Sequence, residues 1–459
     1  VSELLDIELD GRAVKDEPEI PIAPVMGRKV FIETYGCQMN ISDTELMMGV
    51  LKDAGYALAN SPEDADIIVL NTCAIRDHAE ERVMGRLGQL SSLKSQRPDL
   101  IMGVSGCMAK HVSDSLMKDA PYVDLVVGPD SYRRLPELIA EASGDSTLDV
   151  RLDRDEYYTG LDPLRKDGTN AWITIMRGCD KFCTFCIVPY VRGRERSVPA
   201  QEIVRQAQTA ADEGFREITL LGQTVNSYHD GIYDFADLLE MVAKVDGLSR
   251  IRFTSPHPSD FSDKVIATMA SEEKICRFIH LPVQSGSNPV LEAMQRTYTV
   301  EAYLKLVDDL RTVMPGVCLS TDIIAGFPGE SQADFEATLE LMAQVRYDSA
   351  FMFKYSARKG TVAFRDIPDT VSEEEKVQRL EAIINQQNLI SKEINASYVG
   401  RSLAVLVQGD ARKGDGMAVG KSDGFKTVVF PRDGVADNIL VNVEITETTL
   451  RTLTGRIVQ

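Results

Sequence analysis

Short apolar runs alternate with amphipathic stretches along most of this chain. Residues 30–35, 66–71, 100–105 and 123–127 read as strands, and 43–54 and 79–93 carry helical periodicity. Apolar strands of this kind, alternating with helices, predict an open parallel sheet covered on its faces. Residues 143–170, rich in Gly, Asp, Ser and Arg, read as a linker. Six further strand-like runs follow at 171–176, 217–221, 250–254, 278–283, 317–324 and 349–355, most of them separated by helical patterns. They predict a partial (β/α)6 barrel of the triosephosphate-isomerase type, with its chemistry at the C-terminal mouth. Ser372 and Glu375 form a capping box that opens a helix running towards 394. Beyond it, 403–407, 426–430 and 440–445 alternate with Gly/Asp turns, which predicts a small antiparallel β-barrel. The expected class is α/β. The expected division is an acidic leader 1–27 containing Pro18, Pro21 and Pro24, a sheet domain 28–145, a barrel domain 165–395 and a β-barrel 397–459.

Candidate chemistry concentrates in the cysteines, eight in all, six of them in motif-like settings. Cys179, Cys183 and Cys186 form CxxxCxxC directly after the first barrel strand, hence at the mouth. Three thiolates can ligate three irons of a 4Fe–4S cube and leave the fourth iron open to a small molecule. A zinc knuckle is the competing reading, but zinc sites usually add a second pair or nearby histidines. The nearest downstream histidine is His229. Cys37, Cys73 and Cys107 each end one of the first three predicted strands, and groups outside the carboxyl ends of parallel strands converge. Gly36 and Gly106 would allow tight turns there. Three unrelated buried thiols are the alternative. Cys276 and Cys318 lie outside the motifs and are expected in the core.

Charge narrows the class. The net charge of −20 over 459 residues speaks against bulk nucleic-acid binding. Residues 398–459 nevertheless balance at +1, and 177–196 and 346–365 are locally basic. No run of apolar residues reaches the length of a membrane span. The first ten residues lack the basic and apolar regions of a signal peptide. The cysteine usage suits a reducing compartment, so a cytoplasmic location is expected.

The CxxxCxxC spacing resembles the radical S-adenosylmethionine (SAM) signature. The whole pattern from about residue 28 resembles the radical SAM methylthiotransferases, with a TRAM-like RNA-binding barrel at the C-terminus. Thr34-Tyr-Gly-Cys-Gln-Met-Asn40, Asn71-Thr-Cys-Ala-Ile-Arg76, Gly106-Cys-Met-Ala109, Leu220-Leu-Gly-Gln-Thr-Val-Asn-Ser-Tyr228 and His280-Leu-Pro-Val-Gln-Ser-Gly-Ser287 resemble the branch that modifies N6-dimethylallyladenosine in tRNA. Sister branches modify threonylcarbamoyladenosine or a ribosomal-protein aspartate. Thr224, where Asn is expected, and the acidic leader depart from the pattern.

The resemblance implies two 4Fe–4S clusters. Cys37, Cys73 and Cys107 would hold an auxiliary cluster carrying the sulfur to be delivered, which one SAM methylates. Cys179, Cys183 and Cys186 would hold the cluster that cleaves a second SAM to a radical, which removes the hydrogen from carbon 2 of an anticodon-loop adenosine. Gly222, Gln223, Gln284, Ser285 and Asp322 are the expected SAM-pocket residues. Arg192, with Arg177 and Arg194, is expected to take SAM carboxylate or RNA phosphate. Phe182 and Phe185 are expected to shield the cluster. His257 and His280 are expected to be structural. An external electron donor, a sulfur or cluster-repair source and a monomeric state are expected too. A non-catalytic iron–sulfur protein that binds RNA or relays electrons is the alternative of another class.

Overall fold

The computed structural model describes residues 27–74, 77–165 and 168–458; residues 1–26 of the expected leader lie outside them. The first strands are β1 (Lys29–Tyr35), β2 (Ala57–Leu58), β3 (Ile67–Thr72), β4 (Ile101–Gly106), β5 (Leu125–Val127) and β6 (Thr147–Asp149). They form one sheet in the order β2-β1-β3-β4-β5-β6, parallel throughout. Both β3 and β4 are buried along their whole length, as a sheet covered on both faces requires. β6 falls in the stretch read as linker and pairs with β5. The first helix, Gln38–Asp53, begins five residues earlier than its apolar periodicity, because Cys37 and Asn40 cap it.

The central strands are β7 (Asn170–Thr174), β8 (Met176–Arg177), β9 (Arg196–Ser197), β10 (Glu217–Leu221), β11 (Arg250–Phe253), β12 (Phe278–His280), β13 (Cys318–Ala325) and β14 (Ser349–Lys354). The expected barrel is built as two parallel halves, β11-β10-β7 and β12-β13-β14, joined by a bridge between Ile251 and Ile275. β8 and β9 pair antiparallel and close the base of the 178–195 loop. Ala171, Ile173, Ile218, Leu220, Ile251, Ile279, Leu319 and Ile323 share one core with the surrounding helices. The alternate positions face inward and are largely polar: Thr219, Arg252, His280, Ser320 and Asp322. The hydrophobic core thus lies outside the strands, and the interior is a polar cleft, with Thr219, Arg252 and Ser320 buried in it, rather than packed apolar layers.

The helix Glu373–Ala396 carries the chain to β15 (Ser402–Asp410), β16 (Met417–Ser422), β17 (Thr427–Pro431), β18 (Leu440–Thr448) and β19 (Thr452–Val458), a closed barrel ordered β15-β16-β17-β19-β18. The pairs are antiparallel except β17 with β19. This barrel docks against the N-terminal ends of the central strands. Arg250 donates to the carbonyls of Lys421 (2.6 Å) and Ala404 (2.8 Å), and Arg252 to those of Asp423 (2.9 Å) and Ser422 (2.8 Å). Phe425 stacks on Phe278 at 4.9 Å. The C-terminal barrel is therefore the floor of the cleft, opposite the cysteine loop. Among the described residues no helix is long and apolar enough to cross a membrane.

Candidate active site

Gly178 sets the shape of the CxxxCxxC loop. Its φ is +78°, and a Cβ there would lie 2.0 Å from the Arg194 carbonyl oxygen, so only glycine lets the loop cross itself. The Cys179 amide then donates to Gly193 O (3.2 Å) and that of Cys186 to Cys183 O (2.9 Å). Phe182 adopts a left-handed φ of +49°, an uncommon and strained conformation for a bulky side chain. Its ring is 38% exposed beneath Arg194, so it does not enclose the loop as expected. Phe185 does pack inward, edge-on to Phe327.

Burial pushes the Cys179 thiol up to about 11 and that of Cys186 up to about 12, and the neighbouring sulfurs push the same way. Cys179 and Cys186, so placed, ionise readily only against a bound cation. Arg296, not singled out in the sequence, donates to Cys183 Sγ at 3.4 Å and to Pro282 O at 3.1 Å. Its signal was present in Met294-Gln-Arg-Thr-Tyr298, but nothing local showed that it would fold back onto a cysteine.

Cys37, Cys73 and Cys107 follow β1, β3 and β4, three adjacent strands, so the sheet order brings them together. Gly36 and Gly106 turn the chain there with φ of +155° and +91°. Two asparagines tie the ends. Asn40 Nδ2 donates to Thr72 O (3.2 Å), and Asn71 Nδ2 donates to Asn40 O (2.8 Å) and Thr44 Oγ1 (2.9 Å). A hydrogen bond from Cys73 holds the Cys37 thiol down to about 6 against burial, helped by the Arg192 charge and the helix-end amides. Burial raises the Cys107 thiol, which Arg192 opposes.

The arginines of the cysteine loop divide. Arg192 is buried, with Nε 3.0 Å from Cys107 Sγ and Nη2 2.8 Å from Asp43 Oδ2. Arg177, also buried, donates to Asp43 Oδ1 at 2.8 Å and lies over the Tyr158 ring. Neither faces solvent, so the expected RNA-phosphate role does not suit them. Their acidic partner lies more than a hundred residues away in the first domain. Arg194 is exposed and pairs with Asp180 at 2.6 Å.

The remaining expected pocket residues separate as well. Gly222 lies tight against Met176, where a Cβ would be 2.4 Å from Met176 Cγ. Gln223 Oε1 is buried without a protein partner, as is His257 Nε2 at the end of the adjacent strand. Burial holds the His257 ring neutral, its ionisation down to about 2. Thr224 donates to Glu195 at 2.9 Å, a role open to its hydroxyl. Gln284 holds a left-handed φ of +71° and pairs with β13 through its backbone. Ser285 is fully buried and bonds to the Ser287 amide at 3.2 Å, which makes it a brace of the strand end rather than a pocket wall. Asp322 meets His280 Nε2 at 3.4 Å inside the cleft, and His280 Nδ1 meets Ser320 Oγ at 2.9 Å.

The donor sets fit iron–sulfur cubes. Each is three sulfurs, the ligation that a cube spreads over three irons. At adjacent strand ends the orphaned Gln223 Oε1 fits a ligand donor such as the SAM ammonium, while His257, whose Nδ1 accepts from the Ser259 amide, leaves an unpartnered Nε2–H that fits a ligand acceptor.

Three family models match: Uncharacterized protein family UPF0004 over residues 29–128, the Radical SAM superfamily over 173–342 and the TRAM domain over 396–458. Among solved structures, the radical SAM methyltransferase TsrM from Kitasatospora setae superposes with a TM-score of 0.56 at 15% identity, covering 84% of this chain and 79% of that one. The cobalamin-dependent radical SAM enzyme OxsB gives 0.51 at 14% identity, over 79% and 56%. These two likenesses are of fold. Curated relatives are much nearer in sequence. The tRNA-2-methylthio-N(6)-dimethylallyladenosine synthase of Chloroherpeton thalassium is 46% identical over 93% of this chain and 95% of its own. That of Porphyromonas gingivalis is 44% identical over 94% and 95%. Identity at this level along nearly the whole of both chains, over a fold that gathers two cysteine triads, places the chain in the radical SAM methylthiotransferase family, enzymes whose cofactors are 4Fe–4S clusters and SAM.

Proposed function

We propose that the chain adds a methylthio group to carbon 2 of N6-dimethylallyladenosine in the anticodon loop of tRNA. The near-full-length identity to synthases of that product carries the reading. When bound, the clusters and SAM supply a reducing electron, a carbon-centred radical, and the sulfur and methyl group to be transferred. Cys179, Cys183 and Cys186 would hold one cluster, with Arg296 orienting Cys183. Cys37, Cys73 and Cys107 would hold the other, their strand ends locked by Asn40 and Asn71. Gln223 Oε1 would accept a hydrogen bond from SAM and His257 Nε2–H would donate one to it, while Gly222, Gln284 and Asp322 shape the mouth around it.

The cleft supplies a place for the base. Phe351 and Phe353 stand exposed on the inner face of the edge strand β14, 54% and 42% open, and Phe351 meets the His280 ring edge-on at 5.7 Å. An adenine with an apolar N6 substituent would stack there, since ring faces bind bases and bury hydrocarbon at once. The domain division 28–145, 165–395 and 397–459, a cytoplasmic location, a monomeric state, an external electron donor and a sulfur source for cluster repair belong to the same proposal.

The test is nucleoside mass spectrometry. Anaerobically reconstituted protein would receive SAM, a reductant and prenylated tRNA, beside a Cys179→Ala control. A methylthio mass increase on the prenylated adenosine, absent in the control, is expected. Abundant 5′-deoxyadenosine with no such increase would reject this substrate in favour of the sister ones.

A further inference from the structure

We propose that Arg192 is a positioning residue that sets the charge and reduction potential of the cluster held by Cys37, Cys73 and Cys107; this rests on the reading above that these cysteines hold one. The geometry is cross-domain. Arg192 comes from the helix Val188–Arg192, immediately after the other cysteine loop, yet its Nε lies 3.0 Å from Cys107 Sγ. N–H donors on cluster sulfurs, and the net charge around them, are among the determinants of cluster potential. The guanidinium cannot swing away, because Asp43 holds Nη2 at 2.8 Å and the Arg196 side chain donates to the Arg192 carbonyl at 3.1 Å.

The charge balance of the cluster's surroundings points the same way. Arg177 and Arg192 share one carboxylate, Asp43, so this buried group carries a net charge of +1. Both keep a buried Nη1 without a protein partner. Two buried cations with unsatisfied N–H groups, beside three sulfur ligands, match an anionic neighbour. A cube with three thiolates is anionic and becomes more so on reduction or on binding a further sulfur ligand. Arg192 therefore favours the reduced and sulfur-loaded forms. It also makes the seating of one cluster depend on the loop that holds the other.

The experiment uses the full chain with Cys179, Cys183 and Cys186 all replaced by Ala, so that only the second triad binds iron. The midpoint potential and the electron paramagnetic resonance signal are read, with iron content as the loading control. In that background Arg192→Met should lower the potential by at least a tenfold change in the reduction equilibrium, about 59 mV for one electron. Arg192→Lys should recover most of the shift. Asp43→Asn, which leaves both arginines and removes the counter-charge, should raise the potential. Misfolding does not produce opposite shifts. Potentials that stay with the parent's, or that move in the same direction for Arg192→Met and Asp43→Asn, overturn the proposal. If Arg192→Met holds no iron, the Asp43→Asn direction decides alone. If the parent itself takes up no iron, the cluster assignment fails and this inference falls with it, whereas normal loading with unmoved potentials rejects this inference only.

Discussion

Arg252→Ala probes the docking of the C-terminal barrel. The Arg252 side chain is almost wholly buried. It pairs with the buried Glu217 at 2.8 Å, donates to the Asp423 and Ser422 carbonyls, and lies 4.9 Å from the Phe425 ring centre. Truncation leaves the Glu217 carboxylate buried and uncompensated, which costs about 3–5 kcal/mol. The two stranded carbonyls add about 1–3 kcal/mol each where water does not reach them. Against a typical stability of about 5–15 kcal/mol, this is a large loss. Trp172, the single tryptophan, sits on β7 directly across from Thr219 of β10, so its emission reports the barrel during urea unfolding. A double-mutant cycle gives the discriminating number. Glu217→Gln should rescue Arg252→Ala by about 1–2 kcal/mol, because no buried charge is then left alone. A loss below about 1 kcal/mol for Arg252→Ala, or strictly additive costs in the double variant, would refute the account.

Gly178→Ala should abolish iron binding by the CxxxCxxC triad, since its Cβ has no room beside the Arg194 carbonyl; retention of the parental iron content with the other triad removed would contradict this. Asn71→Leu strips donors from Asn40 O and Thr44 Oγ1 and should cost about 2–3 kcal/mol while lowering iron retention by the first triad, read by thermal unfolding and iron assay. His111 bridges Glu80 at 3.0 Å and the Lys359 carbonyl at 2.9 Å across the domain boundary, and the Glu80 hydrogen bond raises its pKa above 6.5. The bridge's stabilisation is thus fully present below about pH 6.5 and is lost as pH rises through the higher folded value; in His111→Gln the melting temperature should lose that slope. Phe353→Ser should weaken binding of a prenylated anticodon stem-loop several-fold more than that of the unprenylated RNA, measured by fluorescence anisotropy; equal losses would remove Phe353 from recognition of the substituent.

Much of this was legible in the residue order, because the relevant signals are local. The spacing of Cys179, Cys183 and Cys186 and the glycines beside Cys37 and Cys107 are properties of short segments. A parallel sheet then does the rest of the work, since its connections return every strand end to the same edge. That is why three cysteines scattered over seventy residues were readable as one cluster of sulfurs.

Charge was not legible in the same way. Arg177, Arg192 and Arg194 occupy one short basic segment and look equivalent in sequence, yet two are buried on Asp43 and one is exposed on Asp180. The sequence records only that they are cations. Whether a cation is solvated or buried depends on whether a carboxylate from a distant segment arrives to offset its desolvation. Ser285 went the same way, drawn inward by Ser287 and Thr338 rather than left to line a pocket. The C-terminal barrel reads from its strands as a module apart, and only the packed structure makes it the floor of the cleft through Arg250, Arg252 and Phe425. The sequence by itself determined which groups can bind metal and where strands and turns fall, because those follow from side-chain chemistry and backbone periodicity within a few residues. The tertiary structure alone decided which charges are buried, which domains share a site and which face of the barrel is open, because those depend on partners that only folding brings within contact.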